Sequence, residues 1–150
     1  MAEIFTVTPA HADRLVAAVR RFHGESRHEV GAAQEAAIRA LCADGSLGRA
    51  WLLIVEGRDA GYALACWRHS IDHGGRIAVL DDLWVDPGFR GRGLGRALLE
   101  AALADAAADG ARAAILEADA ADQRSVGLYE SAGFVCKGTS IFMKEPAFPS

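Results

Sequence analysis

Cysteine is scarce in this sequence, and the three that are present exclude two kinds of site. Cys42, Cys66 and Cys136 are odd in number, far apart and outside any Cys-x-x-Cys pair. Disulfide frameworks and structural zinc sites need paired or clustered cysteines. We therefore expect no disulfide framework and no metal site, and we interpret all three side chains as small buried apolar groups.

Positive charge is also in short supply. The chain has 16 Lys and Arg against 20 Asp and Glu, so its net charge is -4, and its isoelectric point is about 5.7. Binding to nucleic acid without sequence specificity depends on an excess of Lys and Arg at the phosphates. The composition therefore predicts no nucleic-acid partner, and an acidic surface favours a cationic one.

Long apolar runs are missing as well. No run approaches the roughly 20 apolar residues of a membrane-spanning helix, and Met1-Ala2-Glu3 lacks the basic start of a signal peptide. We expect a cytoplasmic protein with no membrane partner. With 150 residues and 51% hydrophobic composition, the sequence predicts one domain over residues 1–150.

Glycine, in contrast, is concentrated between an apolar strand at residues 80–85 and a helix that begins near Leu94: the loop contains Gly91, Gly93 and Gly95. Glycines let the backbone approach a ligand closely, and the first amides of a helix have no partner within the helix. Three arginines add positive charge at the same place: Arg90, Arg92 and Arg96. The stretch therefore predicts an anion-binding loop for a phosphate or pyrophosphate.

Two known phosphate-binding motifs do not fit this loop. A Walker A loop ends in Gly-Lys-Ser/Thr, and no lysine follows any of these glycines. A dinucleotide-binding Gly-x-Gly-x-x-Gly motif needs glycine at position 96 or 98, where the chain has Arg96 and Leu98. A helix start with glycines for turn geometry and arginines for solubility remains an open alternative.

Two motifs in the second half of the chain resemble those of a known superfamily. Residues 90–95, Arg-Gly-Arg-Gly-Leu-Gly, resemble the Gln/Arg-x-x-Gly-x-Gly/Ala motif of the GNAT superfamily of acetyl-CoA-dependent N-acetyltransferases. Residues 122–134 resemble its later motif Asn-x-x-Ala-x-x-Leu-Tyr-x-x-x-Gly-Phe, and the two occur in the order that the family requires. With the flanking strands, the resemblance covers residues 4–144. It implies acetyl-CoA as the donor and coenzyme A as a product, in a family where homodimers are common.

The periodicity predicts helices and strands that alternate along the chain. Helices are expected at residues 9–24, 32–43, from 94 onward and at 122–131, and strands at 4–7, 50–55, 61–67, 76–85, 113–117, near Phe134 and at 141–144. This order predicts an α/β fold, a three-layer α/β/α sandwich with a mixed central sheet. In the GNAT, or acyl-CoA N-acyltransferase, fold that the chain resembles, the sheet is splayed between the strands at 83–85 and 113–116.

The resemblance also implies a set of cofactor-binding residues. The splayed strands admit the pantetheine arm, whose hydrogen bonds come from the backbone near Leu83 and Val85. In the later motif, Asp122 replaces the common Asn and Ser125 the common Ala; aspartate can cap a helix but cannot donate an amide hydrogen bond. The implied set is Leu83, Trp84, Val85, Arg90, Gly91, Arg92, Gly93, Leu94, Gly95, Arg96, Asp122 and Ser125.

Acetyl transfer to an amine needs a group that accepts the amine's proton. Asp81 and Asp82 are adjacent in an apolar strand, and strand alternation predicts that they point to opposite faces, with Asp81 on the face of Leu83 and Val85. Residues 80–85 resemble the Leu-Glu-Asp-Phe-Phe-Val strand of polyamine acetyltransferases of the superfamily, where the first acid contacts the acceptor amine. We interpret Asp81 as the base or the amine anchor and Asp82 as a substrate-binding residue. A structural carboxylate, or a base formed by a water chain, remains the alternative.

The departing thiolate needs a proton in turn, and Tyr129 of the Leu-Tyr pair matches the family's usual acid. No Cys or Ser lies beside a base at motif spacing, so we expect direct attack in a ternary complex and no covalent acyl-enzyme. Between the first two helices, Glu25, His28 and Glu29 are further candidates for binding a cationic substrate, with a solvated connector as the alternative.

The sequence thus predicts an N-acetyltransferase that acts on a primary amine of a small cationic molecule. Two alternatives stay open: an enzyme that acts on peptide or protein amines, and a non-catalytic acyl-CoA-binding module.

Overall fold

The computed structural model describes residues 1–26 and 29–145, apart from the side chains of residues 24–26. In this part of the chain, five strands and four α-helices follow one another: β1 Ala2–Thr6, α1 Ala12–Ser26, α2 Ala32–Ala43, β2 Gly48–Val55, β3 Arg58–Ser70, β4 Gly75–Val85, α3 Leu94–Ala108, β5 Ala114–Leu116 and α4 Gln123–Ser131. Short 3-10 turns at Pro9–His11 and Pro87–Phe89 precede α1 and α3. The element order agrees with the prediction up to α4.

The strands form one open, mixed sheet in the order β1-β2-β3-β4-β5. Neighbours from β1 to β4 are antiparallel, whereas β5 lies parallel to β4. The parallel pairing joins residues 78–80 to residues 114–116 only, so β4 continues for five residues beyond it. The predicted splayed sheet is therefore confirmed, and the open stretch of β4 is residues 81–85.

Helices cover both faces of the sheet, as the apolar patterns predict. On one face, Leu15 and Val19 of α1 and Leu41 of α2 pack against Tyr62 and Trp84. We call the buried cluster on this face the first core. The helical spacing of Leu15 and Val19 places them on one side of α1. Each fully buried leucine contributes roughly 1.5–3 kcal/mol relative to an exposed one, so this face fixes α1 across the sheet.

On the other face, α3 buries Leu98, Leu99 and Ala102 against Trp51 and Leu53 of β2. We call this the second core. Helix α4 adds Leu128 and Tyr129, which are partly buried against the same core. The loop before α3 and the tyrosine of α4 are thereby held on the same side of the sheet.

Strand β4 contains a bulge at its acidic pair. Leu64 of β3 pairs with Asp82 and the next residue, Ala65, pairs with Leu80, so Asp81 has no partner on β3. An extra residue in one strand reverses the alternation of side chains beyond it. Leu80 accordingly packs in the second core, whereas Trp84, four residues later, packs in the first.

The strands predicted near Phe134 and at residues 141–144 are absent from the described residues, so that prediction was wrong. An extended segment becomes a strand only when its backbone pairs with a neighbour. Phe134 still packs against the second core, but the apolar side chains after it are exposed: Val135 is 76% exposed and Phe142 is 94% exposed. The described sheet instead ends at the three residues of β5.

The cysteines are free, but they are not all buried. Cys42 is buried, Cys66 is half-buried and Cys136 is exposed, so the interpretation of Cys136 as a buried apolar group was wrong. Across residues 1–26 and 29–145, no cluster of His, Cys, Asp and Glu could hold a metal ion. Over the same residues, every helix is too short or too polar to cross a lipid bilayer.

Candidate active site

The glycine loop leads directly into α3 with its backbone in an open conformation. Gly91 and Gly93 have φ angles of 81° and 76°, in the left-handed region that favours glycine. Gly93 is the N-cap of α3, and no side chain in the described part of the chain caps that end. A Cβ atom at Gly91 or Gly93 would meet nothing within 4 Å. The first amides of α3, from Leu94 onward, therefore have no side-chain cap at the positive end of the helix dipole, and the neighbouring glycines leave space for a ligand, which suits an anionic group.

Gly95 has a different role, because it lies against other elements. A Cβ atom at Gly95 would come within 3.7 Å of Leu128 on α4 and 3.8 Å of Val85 on β4. These are ordinary van der Waals distances. Gly95 therefore brings the first turn of α3 close to the open end of β4.

The three arginines of the loop each interact with a different part of the protein. Arg90 Nε donates to the Val85 carbonyl across 2.7 Å. The Arg92 guanidinium lies over the Phe89 ring, 5.5 Å from its centroid. Arg96 donates to Glu100 and to the Ser131 carbonyl of α4. Each arginine thus has a contact of its own, of which that of Arg96 joins α3 to α4, and their binding to an anion stays a prediction.

The open edge of β4 presents backbone groups of alternate residues. The Asp86 amide donates to Ala60 on the β3 side across 2.7 Å, so in the same trans peptide the Val85 carbonyl points away from β3. By strand alternation, the backbone of Leu83 faces the same open edge. Arg90 therefore occupies one of the acceptors that the family resemblance assigned to the pantetheine arm.

Trp84 does not reach this edge. Its backbone pairs with Tyr62 of β3, and its side chain is buried in the first core, with its ring centroid 6.2 Å from that of Phe22 and 5.9 Å from that of Tyr62. The Arg21 guanidinium lies over its ring at 5.6 Å. The structure therefore gives Trp84 a role in packing α1 against the sheet, away from the predicted cofactor site.

Asp81 and Asp82 point to the same face of the sheet, not to opposite faces as alternation predicted. Asp81 Oδ2 accepts a hydrogen bond from Cys66 Sγ at 3.1 Å, and Asp82 Oδ2 accepts one from the Tyr62 hydroxyl at 3.2 Å. Both donors belong to β3 and pack against the first core. The prediction was wrong because the bulge at Asp81 adds a residue to the strand. We call these two side chains the acidic pair.

A histidine that the sequence analysis did not select lies beside this pair. His23 Nε2 is 3.6 Å from Asp82 Oδ2, and both side chains are about one-fifth exposed, at 23% and 21%. His23 follows Val19 by four residues, so continuing the apolar face of α1 along its helical spacing would have found it. Glu29 is exposed. The Glu25 side chain and all of His28 lie outside the described residues.

Burial and neighbouring charges set the proton affinity of these groups. Burial raises the pKa of Asp82 and the Asp81 charge raises it further, while His23 and the Tyr62 hydroxyl lower it, with a net rise. Burial and then Asp81 raise the pKa of the Cys66 thiol to about 12. Burial and Asp82 likewise raise the pKa of Tyr62. Cys66 and Tyr62 therefore keep their protons at neutral pH and act as hydrogen-bond donors.

Tyr129 lies on α4 with its ring edge-on to Phe134, with the centroids 6.1 Å apart. Burial is the largest cause that raises the pKa of Tyr129, and the charges of Asp122 and Asp82 raise it further. Its hydroxyl makes no hydrogen bond to another residue in the described ranges, and the raised pKa keeps the phenol protonated at neutral pH.

Residues 14–134 match the family model described as the Acetyltransferase (GNAT) family. The chain belongs to the GNAT acetyltransferase family. Its match to a mycothiol acetyltransferase of Propionibacterium freudenreichii subsp. shermanii is 36% identical over 91 residues. This match covers 59% of the chain but only 29% of the relative, so the chain spans less than a third of that protein's length.

Solved structures share the fold along nearly the whole chain. Integron cassette protein HFX_CASS3, from the mobile metagenome of Cole Harbour Salt Marsh, has a TM-score of 0.85 and 28% identity over 97% of this chain and 91% of its own. Aminoglycoside N-acetyltransferase AAC(6')-Iy in complex with CoA has a TM-score of 0.81 and 18% identity, covering 96% and 94%. The ribosomal-protein-alanine N-acetyltransferase of Brucella melitensis biovar Abortus 2308 has a TM-score of 0.73 and 19% identity, covering 96% and 99%.

The later GNAT motif begins with a helix cap in this chain. Asp122 is the N-cap of α4 and accepts hydrogen bonds from the Ser125 amide at 3.2 Å and from the Ser125 hydroxyl at 2.8 Å. These bonds lower the pKa of Asp122. The predicted capping role is confirmed. The Ser125 hydroxyl thus donates its hydrogen bond to Asp122, the N-cap of its own helix.

A separate open cleft of about 560 Å³ lies among α1, the turn between β2 and β3, and the Pro87–Phe89 turn. Arg21, Arg58 and Arg92 line it together with acidic residues, and one of these, Asp59, binds Arg14 through both carboxylate oxygens. The cleft includes neither the acidic pair nor Tyr129. The cleft is therefore separate from both of these candidate groups.

Proposed function

We propose that this GNAT protein is an N-acetyltransferase that moves the acetyl group of acetyl-CoA to a primary amine of a small cationic molecule. The observation that carries the proposal is the acidic pair, two carboxylates on one face of β4 next to its open edge. A cationic acceptor would be attracted to this pair and held close to the edge where the family resemblance puts the donor. Acetyl-CoA supplies an activated thioester when bound.

The donor would be held by the glycine loop and the open edge of β4. Amides from Gly91 to Arg96 are proposed to bind the pyrophosphate, because α3 begins there without a side-chain cap. The backbone of Leu83 and Val85 is proposed to bind the arm. Arg90 now donates to Val85, so we infer that it leaves this carbonyl and pairs with phosphate when the donor binds.

The amine must lose a proton before it can attack. We assign the contact with the ammonium to Asp81, which is the more exposed carboxylate of the pair, and a supporting substrate contact to Asp82. The first ammonium proton passes to the carboxylate directly or through water. The neutral amine then attacks, which forms the N–C bond and breaks the C–S bond, and the nitrogen releases its second proton to water. The raised pKa of Asp82 supports proton acceptance by this pair, since a carboxylate with a higher pKa is a stronger base.

The leaving thiolate is proposed to take its proton from Tyr129. The phenol is protonated, because burial raises its pKa, and its hydroxyl is not engaged by another described residue. A positioned acid of this kind typically contributes about 10²–10⁴-fold to the rate. The Cys66 thiol is occupied with Asp81 and its pKa is about 12, which supports direct attack and argues against an acyl-cysteine.

The small cationic acceptor is the finer part of the proposal. An aminoglycoside acetyltransferase and a ribosomal-protein-alanine acetyltransferase share this fold, so the fold alone leaves the acceptor open. The two carboxylates favour a cation. A peptide or protein amine is the second candidate, and a non-catalytic acyl-CoA-binding module is the third. A homodimer is a further expectation from the family resemblance, to be checked by light scattering, and a cytoplasmic location stays the prediction made from the sequence.

The experiment that tests the proposal is acetyl-CoA-dependent thiol release with a panel of polyamines, aminoglycosides, amino acids and short peptides. We expect release with at least one small cationic amine and none with neutral peptides. Release with peptides alone would replace the small-amine acceptor by a peptide one. Acetyl-CoA binding without release across the panel would favour the non-catalytic module.

A further inference from the structure

His23 is a half-buried titratable group that the proposed reaction leaves unused. It comes from the last turns of α1, whereas Asp82 belongs to β4 and Tyr62 to β3, so three elements meet at one carboxylate. His23 Nε2 and the Tyr62 hydroxyl both approach the same oxygen, Oδ2, at 3.6 Å and 3.2 Å. Asp82 Oδ1 makes no hydrogen bond to any residue that the structure describes, which leaves this oxygen for a ligand.

We propose that His23 is a positioning residue that acts through Asp82 on the acceptor: neutral His23 leaves the acidic pair doubly negative, and protonated His23 cancels one of the two charges. The inference rests on the proposed function, because it takes the acidic pair as the site that binds the cationic amine. Histidine suits this role because its charge changes near neutral pH. The acceptor is thereby bound more strongly when His23 is neutral.

The other titratable groups around Asp82 do not change charge in the same pH range. Tyr62 and Cys66 face it from β3, and both keep their protons because burial raises the pKa of each. Tyr129 on α4 also stays protonated. Asp81 lies beside Asp82 on β4 and adds the second negative charge. Among the described groups around Asp82, His23 is therefore the one whose protonation places a positive charge beside the pair.

A competing explanation is that His23 only packs α1 against the sheet. Its ring lies edge-on to Phe22, with centroids 5.3 Å apart, so it does contribute to packing. A purely structural role would change the amount of folded protein, or kcat and KM together, at every pH. The proposed role changes the KM for the cationic acceptor, and it does so in a pH-dependent way.

The test compares His23→Gln with wild type, using the acceptor found in the amine panel, from pH 6.0 to pH 8.0. Glutamine keeps an N–H donor for Asp82 but cannot take a proton. In wild type the acceptor KM is expected to fall by about fivefold as pH rises, since the positive charge of His23 that cancels one charge of the pair is lost. In His23→Gln it is expected to stay at the high-pH value, with kcat changed by less than about twofold. Equal pH dependence in both proteins would overturn the proposal.

Two matched variants keep the result interpretable. His69→Gln makes the same replacement at an exposed position of β3 and is expected to keep the wild-type pH dependence. Tyr62→Phe removes the other donor to Asp82 without changing a charge, so it is expected to shift the KM equally at every pH. A flattened profile in His69→Gln or in Tyr62→Phe would contradict the assignment to His23.

A second readout does not need turnover and separates this inference from the proposed function. Proton NMR of the full chain follows the His23 Cε1–H signal while spermidine is added at pH 6.0 and pH 8.0. The signal is expected to respond at several-fold lower spermidine concentration at pH 8.0, and this difference is expected to disappear in Asp82→Asn. A pH-dependent spermidine response without thiol release in the panel would support the role of His23 and contradict the proposed acetyl transfer. Thiol release without a pH difference in the spermidine response would support acetyl transfer and contradict the role of His23.

Discussion

The thiol of Cys66 on β3 donates a hydrogen bond to the carboxylate of Asp81 on β4, with 3.1 Å between Sγ and Oδ2. Asp81 has no partner residue on β3, so this bond is what ties the bulged side chain to the neighbouring strand. Burial raises the pKa of the thiol to about 12, and the sulfur is therefore a donor and not a nucleophile. The contact links the backbone irregularity of β4 to the orientation of the carboxylate assigned to the acceptor amine.

Replacing Cys66 tests this link. Cys66→Ser keeps a donor of similar size and is expected to retain kcat/KM for the amine within about twofold. Cys66→Ala removes the donor and is expected to lower it by about threefold to tenfold, because Asp81 loses its fixed orientation. Steady-state kinetics measure both. Mass spectrometry after mixing with acetyl-CoA should find no acetylated cysteine, and an acetyl-Cys66 adduct would contradict direct attack.

Tyr129→Phe removes the proposed acid without disturbing packing. The hydroxyl makes no hydrogen bond to the residues that the structure describes, so the melting temperature should stay within a few degrees of wild type. Turnover is expected to fall by about 10²-fold or more, because the thiolate must leave without a proton from the enzyme. Acetyl-CoA affinity, measured by calorimetry, is expected to be unchanged. Wild-type turnover would show that Tyr129 is not the acid.

Asp81→Asn removes one charge from the acidic pair. The amine KM is expected to rise by about tenfold, and the acid limb of the kcat/KM profile is expected to shift, because the titrating group at the acceptor has changed. Acetyl-CoA affinity serves as the internal control, since Asp81 lies outside the glycine loop. If the pH profile does not change, the base is another residue or a water chain.

The raised pKa of Asp82 has a consequence for folding. The folded state holds the Asp82 proton more tightly than the unfolded state does, because burial is the largest cause of the shift. The contribution of Asp82 to stability is therefore greatest below the ordinary Asp pKa and is lost as the pH rises through the higher folded pKa. Asp82→Asn is expected to reduce this loss above the ordinary Asp pKa in urea unfolding. An identical dependence of stability on pH in wild type and variant would contradict it.

Gly93→Val tests the anion-binding loop, and Gly57→Val is its matched control. Both glycines have left-handed backbones, with φ of 76° and 75°, and a Cβ atom at either would meet nothing within 4 Å. Each substitution is therefore expected to cost about 1–2 kcal/mol of backbone strain. Gly93→Val is expected to abolish measurable acetyl-CoA binding, while Gly57→Val leaves it unchanged. Tight binding by Gly93→Val would remove the loop from the cofactor site.

Much of the fold could be predicted because local pattern and tertiary packing agree. The predicted helix over residues 32–43 is the observed α2, whose apolar spacing places Ile38, Leu41 and Cys42 in the core. The order of strands up to β5 and the helix at residues 123–131 also agree. In these segments, the regular spacing of the helix or strand correctly predicts which side chains are buried.

The orientation of the acidic pair could not be predicted from alternation. Alternation assumes one residue opposite one residue, and the sequence of residues 79–85 carries no glycine or proline that would mark a bulge. The strands predicted near Phe134 and at residues 141–144 were wrong for a related reason. Whether a segment forms a strand depends on a neighbouring strand to pair with, and not on its local composition alone. His23 could not be predicted as a site residue from the pattern, because it continues the apolar face of a helix on which the other inward positions are apolar residues.

Acetyl transfer to a cationic small amine is the central claim, and product analysis tests it most directly. The protein is incubated with acetyl-CoA and each amine of the panel, and both coenzyme A and the acetylated amine are quantified by mass spectrometry. We predict equal amounts of the two products with at least one small cationic amine, and strongly reduced amounts with Tyr129→Phe. Bound acetyl-CoA with no acetylated amine from any member of the panel, or acetylation of peptides alone, would contradict the claim.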